Sequence, residues 1–185
     1  MVICFHSAPR RAGLTLVELL VTLAIAVIVT TIAVPSFRWL ILDARLSTAV
    51  NGLVHDLALA RSNAVTRGRS VVLCPSADGV RCLATPEWHR GWIVFVDSNR
   101  DRDRDPEESR LRVHGPLAHG ISAISSRARR RIVYHPLGFS HGSNLTVTFC
   151  ASRQPGAARA LILSNAGRPR IARTGPGRRA LRCPP

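Results

Sequence analysis

The chain opens with a long apolar segment. Residues Leu19 to Phe37 form a run of 19 positions without a charged side chain, and Glu18 stands directly before it. As a helix, such a run extends about 28 Å, close to the ~30 Å hydrocarbon core of a bilayer. The pattern predicts a membrane-spanning helix over residues 14–42. A cleaved secretory signal is the alternative, but the run is longer than a typical signal core and carries a carboxylate at its entrance.

Between residues 43 and 68 the apolar positions recur at helical spacing and form one stripe. The stripe consists of Leu46, Val50, Leu53, Leu57, Ala60 and Ala64. Charged and amide side chains, among them Asp56, fall mostly off this stripe, and Gly68 follows as a C-cap. We therefore expect the helix to continue and to lay one face on a globular head.

From Ser70 onward the apolar positions alternate, which is typical of half-buried strands. Turn-forming Gly, Pro, Ser and Asn residues separate eight candidate strands. These are Ser70–Cys74, Gly91–Asp97, Arg110–Val113, Gly120–Ile124, Arg131–Tyr134, Leu145–Cys150, Arg159–Ser164 and Arg170–Arg173. The order of elements predicts an α+β fold in which the helix packs on a small antiparallel sheet within residues 69–185.

The apolar segment is preceded by the sequence Arg10-Arg11-Ala12-Gly13-Leu14-Thr15-Leu16-Val17-Glu18. This arrangement resembles the leader of type IV prepilins, with Leu14 standing where that family usually has Phe. The resemblance implies that residues 1–13 are a leader, that a prepilin peptidase cleaves after Gly13, and that the new amine of Leu14 is methylated. It also gives Glu18 a partner, the N-terminal ammonium of a neighbouring subunit in a filament.

Charge is distributed unevenly along the chain. All 26 basic residues are arginine, and the formal net charge is +15. Residues 1–108 hold 12 of the arginines and all 11 acidic residues, whereas residues 109–185 hold 14 arginines and no acid. A field of this sign favours phosphate-rich partners or anionic lipid.

Four cysteines remain once Cys4 is removed with the leader. In an oxidising compartment an even number predicts two disulfides, for which three pairings exist. We favour pairing between neighbours along the chain, Cys74 with Cys82 and Cys150 with Cys183, while the other two pairings stay open. A zinc site is the competing interpretation, but no CxxC spacing is present.

The segment from Asp97 to Asp105 begins like a calcium loop of the D-x-N-x-D type. Arg102 occupies the position where an EF-hand needs Gly, and the alternating arginines neutralise the carboxylates, so we favour a self-paired charged loop over a metal site. No nucleophile elbow, zinc-binding HExxH or phosphate loop is present. The sequence therefore predicts a protein without a cofactor and without enzymatic activity.

The C-terminal segment concentrates arginine. Gly167-Arg168-Pro169-Arg170 falls in a strand–turn–strand pattern, which would direct Arg168 and Arg170 to the same side. Two planar guanidinium groups fixed on one side suit adjacent phosphates. Arg173, Arg178 and Arg179 extend this basic strip, and a second cluster at residues 127–131 widens it. A solvated basic face is the alternative interpretation.

The helical stem with its β-rich head, the stretch from Gly91 to Asn99 and the C-terminal cysteine resemble the GspH/FimT family of type IV pilin-like proteins. Within that family the chain is closest to the DNA-uptake minor pilins of the FimT kind, in which a C-terminal G-R-x-R motif binds DNA. Gly167 to Arg170 match the motif. The resemblance implies a minor pilin that binds extracellular DNA through phosphates during natural transformation. The alternative is a structural minor pilin or type II secretion pseudopilin that primes filament assembly.

The same resemblance implies a location and a set of partners. The precursor would be a single-pass protein of the inner membrane, and the mature protein would enter the periplasm and a pilus at the cell surface. Its partners would be DNA, other pilin subunits and the prepilin peptidase.

Overall fold

The computed structural model describes residue 13 and residues 15–126, 128–151 and 157–183. A single helix, α1, extends from Leu16 to Arg67. The hydroxyl of Thr15 accepts a hydrogen bond from the backbone N–H of Glu18 at 3.2 Å and so caps the first turn. The helix ends at Gly68, whose φ of +61° is the left-handed conformation expected of a glycine C-cap.

The described residues up to Leu40 and the described residues from Ile41 onward form two compact units. In the first unit, the large apolar side chains along the described part of α1 are exposed, for example Leu16, Leu20 and Ile28. Among the residues that the structure describes, no helix combines the length and the apolar character that crossing a bilayer requires.

The second unit contains eight strands within its described residues. They are β1 (Ser70–Pro75), β2 (Trp92–Asp97), β3 (Arg110–His114), β4 (Ile121–Ile124), β5 (Ile132–Tyr134), β6 (Leu145–Ala151), β7 (Ala158–Leu163) and β8 (Pro169–Ala172). Every strand begins and ends within one residue of its predicted position. The alternation of apolar residues and the turn-forming residues between them were therefore sufficient to locate the strands.

The strands form two antiparallel sheets. Sheet A has the order β3-β2-β1-β5, and sheet B has the order β4-β6-β7-β8. The α+β class is confirmed, but the expectation of one sheet was wrong. Alternation along a strand specifies which side chains face a core, but it does not specify which strands pair with each other. The division into two sheets could therefore not be predicted from the pattern.

The stripe of α1 lies at the centre of the core. All six side chains predicted for it are buried, with exposed fractions of 0% to 1%. They form one cluster with side chains from both sheets, such as Val94 of sheet A and Phe149 and Leu161 of sheet B. The helical spacing read from residues 46–64 is therefore confirmed as the face that the head covers.

One polar residue of α1, Asp56, is buried although the sequence pattern placed it off the apolar stripe. Asp56 is 1% exposed, and its Oδ2 accepts a hydrogen bond from the Trp92 indole N–H at 2.8 Å. The Arg112 guanidinium lies 3.6 Å from the other carboxylate oxygen, and the His114 ring stacks on Trp92 with 3.8 Å between ring centroids. A buried carboxylate with both a donor and a cation is satisfied, so Asp56 joins the helix to sheet A.

Two disulfides link cysteines that neighbour each other along the chain, the pairing that the sequence favoured. Cys74 is bonded to Cys82, with 5.5 Å between their Cα atoms, and Cys150 is bonded to Cys183, with 5.8 Å. The first joins β1 to the loop that follows it. The second attaches the C-terminal segment to β6 and closes a loop with a sequence separation of 33, worth on the order of 3.5–4 kcal/mol by chain entropy.

The turn between β7 and β8 requires glycine at its last position. The N–H of Gly167 donates to the Ser164 carbonyl at 2.9 Å, and its φ is +72°. A Cβ atom at this position would lie 2.6 Å from the carbonyl oxygen of Gly138 and 2.8 Å from the Tyr134 ring. The Tyr134 hydroxyl also donates to the Gly167 carbonyl at 3.1 Å. Conformation and space both exclude a side chain here.

The Tyr134 phenol predicts how the head responds to alkaline pH. Burial raises its pKa from 10.0 to about 12, with a small opposing effect from the Arg61 cation. Since ionisation is easier in the unfolded chain, the free energy of unfolding should fall as the pH rises from about 10 to about 12. Tyr134 is the one tyrosine of the sequence, so phenolate absorbance reports on it alone. A titration with a midpoint near 10 in the folded protein would contradict this buried environment.

Replacing Gly167 by Ala should destabilise the head by about 2–3 kcal/mol, because it adds left-handed strain and a clash with the Gly138 carbonyl and the Tyr134 ring. Gly142→Ala is the matched control, since Gly142 has a similar φ of +71° and open space around the position of a Cβ. The control should cost only about 1–2 kcal/mol. Denaturant unfolding of both variants measures the difference, and equal costs would show that the close approach at Gly167 is relaxed without penalty.

Candidate nucleic-acid interface

The β7–β8 hairpin carries the first two arginines of the predicted basic strip. Arg170 is the ladder partner of Ile162, and the Ser164 N–H donates to the Arg168 carbonyl at 3.3 Å. Arg168 directly precedes β8 and is two positions from Arg170, a spacing at which extended backbone directs side chains to the same side. Leu163, between their ladder partners, is buried on the opposite face. The two guanidinium groups therefore lie on the side away from the core.

The five arginines of the basic strip make no side-chain hydrogen bond and no ion pair with the described residues. All five are exposed, and they are Arg168, Arg170, Arg173, Arg178 and Arg179. The stretch of chain that contains them has no acidic residue from position 109 onward. Their charges are therefore not compensated by sequence neighbours, and their planar donor groups are available to an anionic ligand.

The segment after β8, residues 173–183, is a structured tail. Pro176–Arg178 form a 3₁₀ turn, and the Gly175 N–H donates to the Arg179 carbonyl at 2.8 Å across it. The disulfide at Cys183 fixes the far end of this tail to β6. Arg173, Arg178 and Arg179 are thus carried on a chain segment that is anchored at both ends.

Gly167 does not offer a surface to a ligand. The sequence motif placed it among the DNA-contacting residues, but in the structure it is buried beneath the turn, against Tyr134 and Gly138. Its contribution is conformational, because it allows the chain to turn tightly enough to bring Arg168 opposite Ser164. The contacting groups of the motif are therefore its two arginines.

A groove lies beside Arg170 on the same side of sheet B. It has a volume of about 550 Å³, and its lining includes Ile162, Asn144, Asn165 and Arg129 together with Arg170. The amides of Asn144 and Asn165 were not predicted as site residues. No sequence signal distinguishes them from ordinary turn residues, because they come together only through the pairing of β6, β7 and β8.

The second arginine cluster is largely engaged within the protein. Arg129 donates to the side-chain and backbone oxygens of Asn144, and Arg130 donates to the Ala84 carbonyl. Arg131 forms an ion pair with Asp103 at 2.8 Å. Arg127 lies outside the described residues. These contacts separate the cluster from the basic strip, whose arginines have no such partners among the described residues.

Arg159 is also engaged, although it belongs to the same C-terminal concentration of arginine. Its guanidinium donates to Asp43 and to Ser47 of α1, both at 2.7 Å. The ion pair is partly shielded from solvent, with side-chain exposures of 23% and 34%. Arg159 therefore attaches β7 to the helix.

The loop from Asp97 to Glu108 is held by its own polar groups. Asp97 accepts hydrogen bonds from the backbone N–H groups of Arg100 and Arg102, and burial nevertheless raises the pKa of its carboxyl above the ordinary value. Glu108 accepts from the Ser98 and Asp105 N–H groups. Across the described ranges, no group of three or more His, Cys, Asp or Glu side chains is placed to hold a metal ion.

At the other end of the chain, Gly13 and Glu18 are exposed, and Glu18 stands in the first turn of α1. A carboxylate in this position interacts favourably with the positive end of the helix dipole. Leu14 and the residues before Gly13 lie outside the described residues, so cleavage and methylation at the Gly13–Leu14 bond stay predictions.

Two family models match the sequence, one over the head and one over the start of the chain. The model of the family described as type II transport protein GspH matches residues 49–167, and the prokaryotic N-terminal methylation motif matches residues 8–34. No curated protein sequence matches the chain significantly.

Two solved structures are similar to this chain, and the first of them shares its fold. The type IV minor pilin FimU of Pseudomonas aeruginosa is 22% identical, with a TM-score of 0.56 over 69% of this chain and 87% of FimU. The minor pseudopilin EpsH of the Vibrio cholerae type II secretion system is 11% identical, with a TM-score of 0.49 over 72% of this chain and 98% of EpsH. Since the GspH model covers more than half of the sequence and the methylation motif covers its start, the chain belongs to the GspH/FimT family of type IV pilin-like proteins.

Proposed function

We propose that this protein is a type IV minor pilin that binds extracellular DNA for uptake during natural transformation. The observation that carries the proposal is the pair formed by Arg168 and Arg170. Both are exposed on one face of an edge hairpin, and both lack an ion pair within the described part of the chain. The hairpin lies at the edge of sheet B, because β8 is the last strand in the order β4-β6-β7-β8.

Binding would be electrostatic and would not depend on sequence. Arginine donates two parallel hydrogen bonds to a phosphate, and contacts to the phosphate backbone carry no base information. Arg173, Arg178 and Arg179 of the tail would add long-range attraction. Affinity is then expected to fall steeply with salt, because each phosphate contact releases counterions.

Processing and assembly would follow the pilin pattern. The prepilin peptidase would cleave after Gly13 and methylate Leu14, and the apolar start of α1 would hold the precursor in the inner membrane. In the filament, Glu18 would pair with the N-terminal ammonium of a neighbouring subunit, which offsets the cost of burying its carboxylate. The DNA-binding head would then be displayed on a pilus at the cell surface.

A structural role without DNA binding is the second candidate. The fold shared with FimU favours it, because FimU is a type IV minor pilin. In that case the protein would prime the assembly of a pilus or of a type II secretion filament, and the arginines would only keep the head soluble. Direct measurement of DNA binding separates the two functions.

Replacing Arg168 and Arg170 together by Gln should weaken DNA binding about 10- to 100-fold, equally for unrelated sequences, because two charge-assisted contacts are lost. The slope of log affinity against log salt between 50 and 200 mM should become shallower by about 0.9 for each phosphate contact removed. Fluorescence anisotropy on the full chain in a non-ionic detergent measures both quantities. Transformation should be lost while pili still assemble.

The matched control is Arg81→Gln with Arg90→Gln, which removes the same charge from exposed arginines that are paired with Asp78 and Glu87. This variant should bind DNA nearly as well as the parent. If the Arg168/Arg170 variant binds like the parent, the assignment of the site is wrong. If the unchanged protein does not bind DNA at low salt, the structural role is the correct one.

Replacing Gly13 by Glu should leave an uncleaved precursor, because the peptidase must approach the backbone at this residue and a side chain obstructs it. Mass spectrometry of the membrane fraction distinguishes the precursor from the mature chain. Glu18→Ala is the control, since it alters the mature N-terminal region without touching the cleaved bond and should still be processed. Mature protein of normal mass from the Gly13 variant would refute the prepilin assignment.

A further inference from the structure

Two aromatic side chains are exposed on the loop between β5 and β6. Phe139 has 42% of its surface in contact with solvent, and His141 is also exposed. Their ring centroids are 5.5 Å apart and the rings are tilted by 44°. An exposed phenylalanine loses the free energy that burial would supply, so this pair of rings is a candidate for contact with a ligand.

The loop is fixed against the turn that carries Arg168. The Ser140 N–H, between the two rings in sequence, donates to the Asn165 carbonyl at 2.9 Å, and Ser140 is fully buried. On the other side of Phe139, the Gly138 carbonyl lies against Gly167. Backbone contacts on both sides of Phe139 therefore hold this part of the loop against the turn that precedes Arg168.

The same loop borders the groove. Beyond His141 the chain passes Gly142, whose carbonyl accepts from Arg129, and reaches Asn144, which lines the groove with Arg170. The β5–β6 loop and the β7–β8 hairpin thus contact each other and form one surface, which carries the aromatic pair, Arg168 and the groove that Arg170 lines. Among the described residues, the polar side chains that line the groove are arginines, amides and hydroxyls, and none is a carboxylate.

We infer that this surface binds unpaired nucleotides, with phosphates held by Arg168 and Arg170 and a base stacked on Phe139. The inference rests on the proposed function and makes the bound DNA single-stranded, or duplex with an unpaired end. A positively charged groove beside an aromatic ring is the combination that single-strand binding uses, since every base has a face that can stack. A paired base inside a duplex cannot present that face to Phe139.

The charges alone would select the opposite substrate. A duplex has the higher density of phosphates and releases more counterions per contact than a single strand, so a purely electrostatic surface binds duplex DNA at least as tightly. A preference for single strands therefore requires a contribution from the bases. The contribution of the bases to affinity can be measured by comparing a normal strand with an abasic strand that has the same number of phosphates.

The experiment measures anisotropy of three labelled probes on the full chain in a non-ionic detergent at about 50 mM salt. The probes are an oligothymidylate of roughly 20 nucleotides, an abasic strand with the same number of phosphates, and a blunt duplex of equal length. We expect the oligothymidylate to bind about tenfold or more tightly than the abasic strand. Phe139→Leu, which keeps an apolar side chain and removes the ring, should reduce oligothymidylate binding to the abasic level and leave duplex binding unchanged.

Leu137→Ala is the control, because Leu137 is the most exposed apolar residue of the same loop and has no ring. It should leave the binding of all three probes unchanged. Thermal unfolding of each variant verifies that the head stays folded.

Equal binding of the oligothymidylate and the abasic strand to the unchanged protein would overturn the inference while leaving phosphate binding intact. Loss of filament assembly in Phe139→Leu, with oligothymidylate binding unaffected, would assign the ring to a neighbouring subunit and would also overturn it. Failure of the proposed function has a different signature, because then none of the three probes binds or the Arg168/Arg170 variant binds them all normally.

Discussion

The head depends on one buried surface, the apolar stripe that α1 presents between residues 46 and 64. Sheets A and B share no ladder, and the stripe is where their inner faces meet in a single core. An amphipathic helix gains most of its stability from such packing rather than from its own hydrogen bonds, so helix and sheets stabilise each other. Two directional contacts orient this packing, one from Asp56 to Trp92 and one from Arg159 to Asp43.

Local features of the fold could be read from the sequence, and features that join distant residues could not. The strands and the stripe were located because their periods lie within a few neighbouring positions. The burial of Asp56 was not predicted, because its hydrogen-bond donor, Trp92, is 36 residues away and no local pattern indicates this pairing. The division into two sheets was missed for the same reason, since it depends on β4 pairing with β6 across the intervening β5.

The candidate site shows the same limit. The spacing of Arg168 and Arg170 predicts that both side chains point to the same side, because extended backbone has a period of two. Sequence did not reveal which arginines are neutralised: Arg159 reaches an acid 116 residues earlier, whereas Arg131 reaches Asp103 in a loop of sheet A. The exposed Arg131–Asp103 pair contributes little stability, but it compensates the charge of that arginine, whereas the arginines of the hairpin and the tail have no ion pair within the described residues.

The disulfide at Cys183 has a consequence for how the head responds to proteolysis. Exposed arginines are the preferred cleavage sites of trypsin-like proteases, and the tail carries several of them on an accessible segment. Because Cys150 and Cys183 are covalently joined, the chain between them is a closed ring, and a single cut within it releases no fragment. A head that is cleaved once between these cysteines therefore keeps all of its arginines, because the disulfide still holds the two resulting chain segments together.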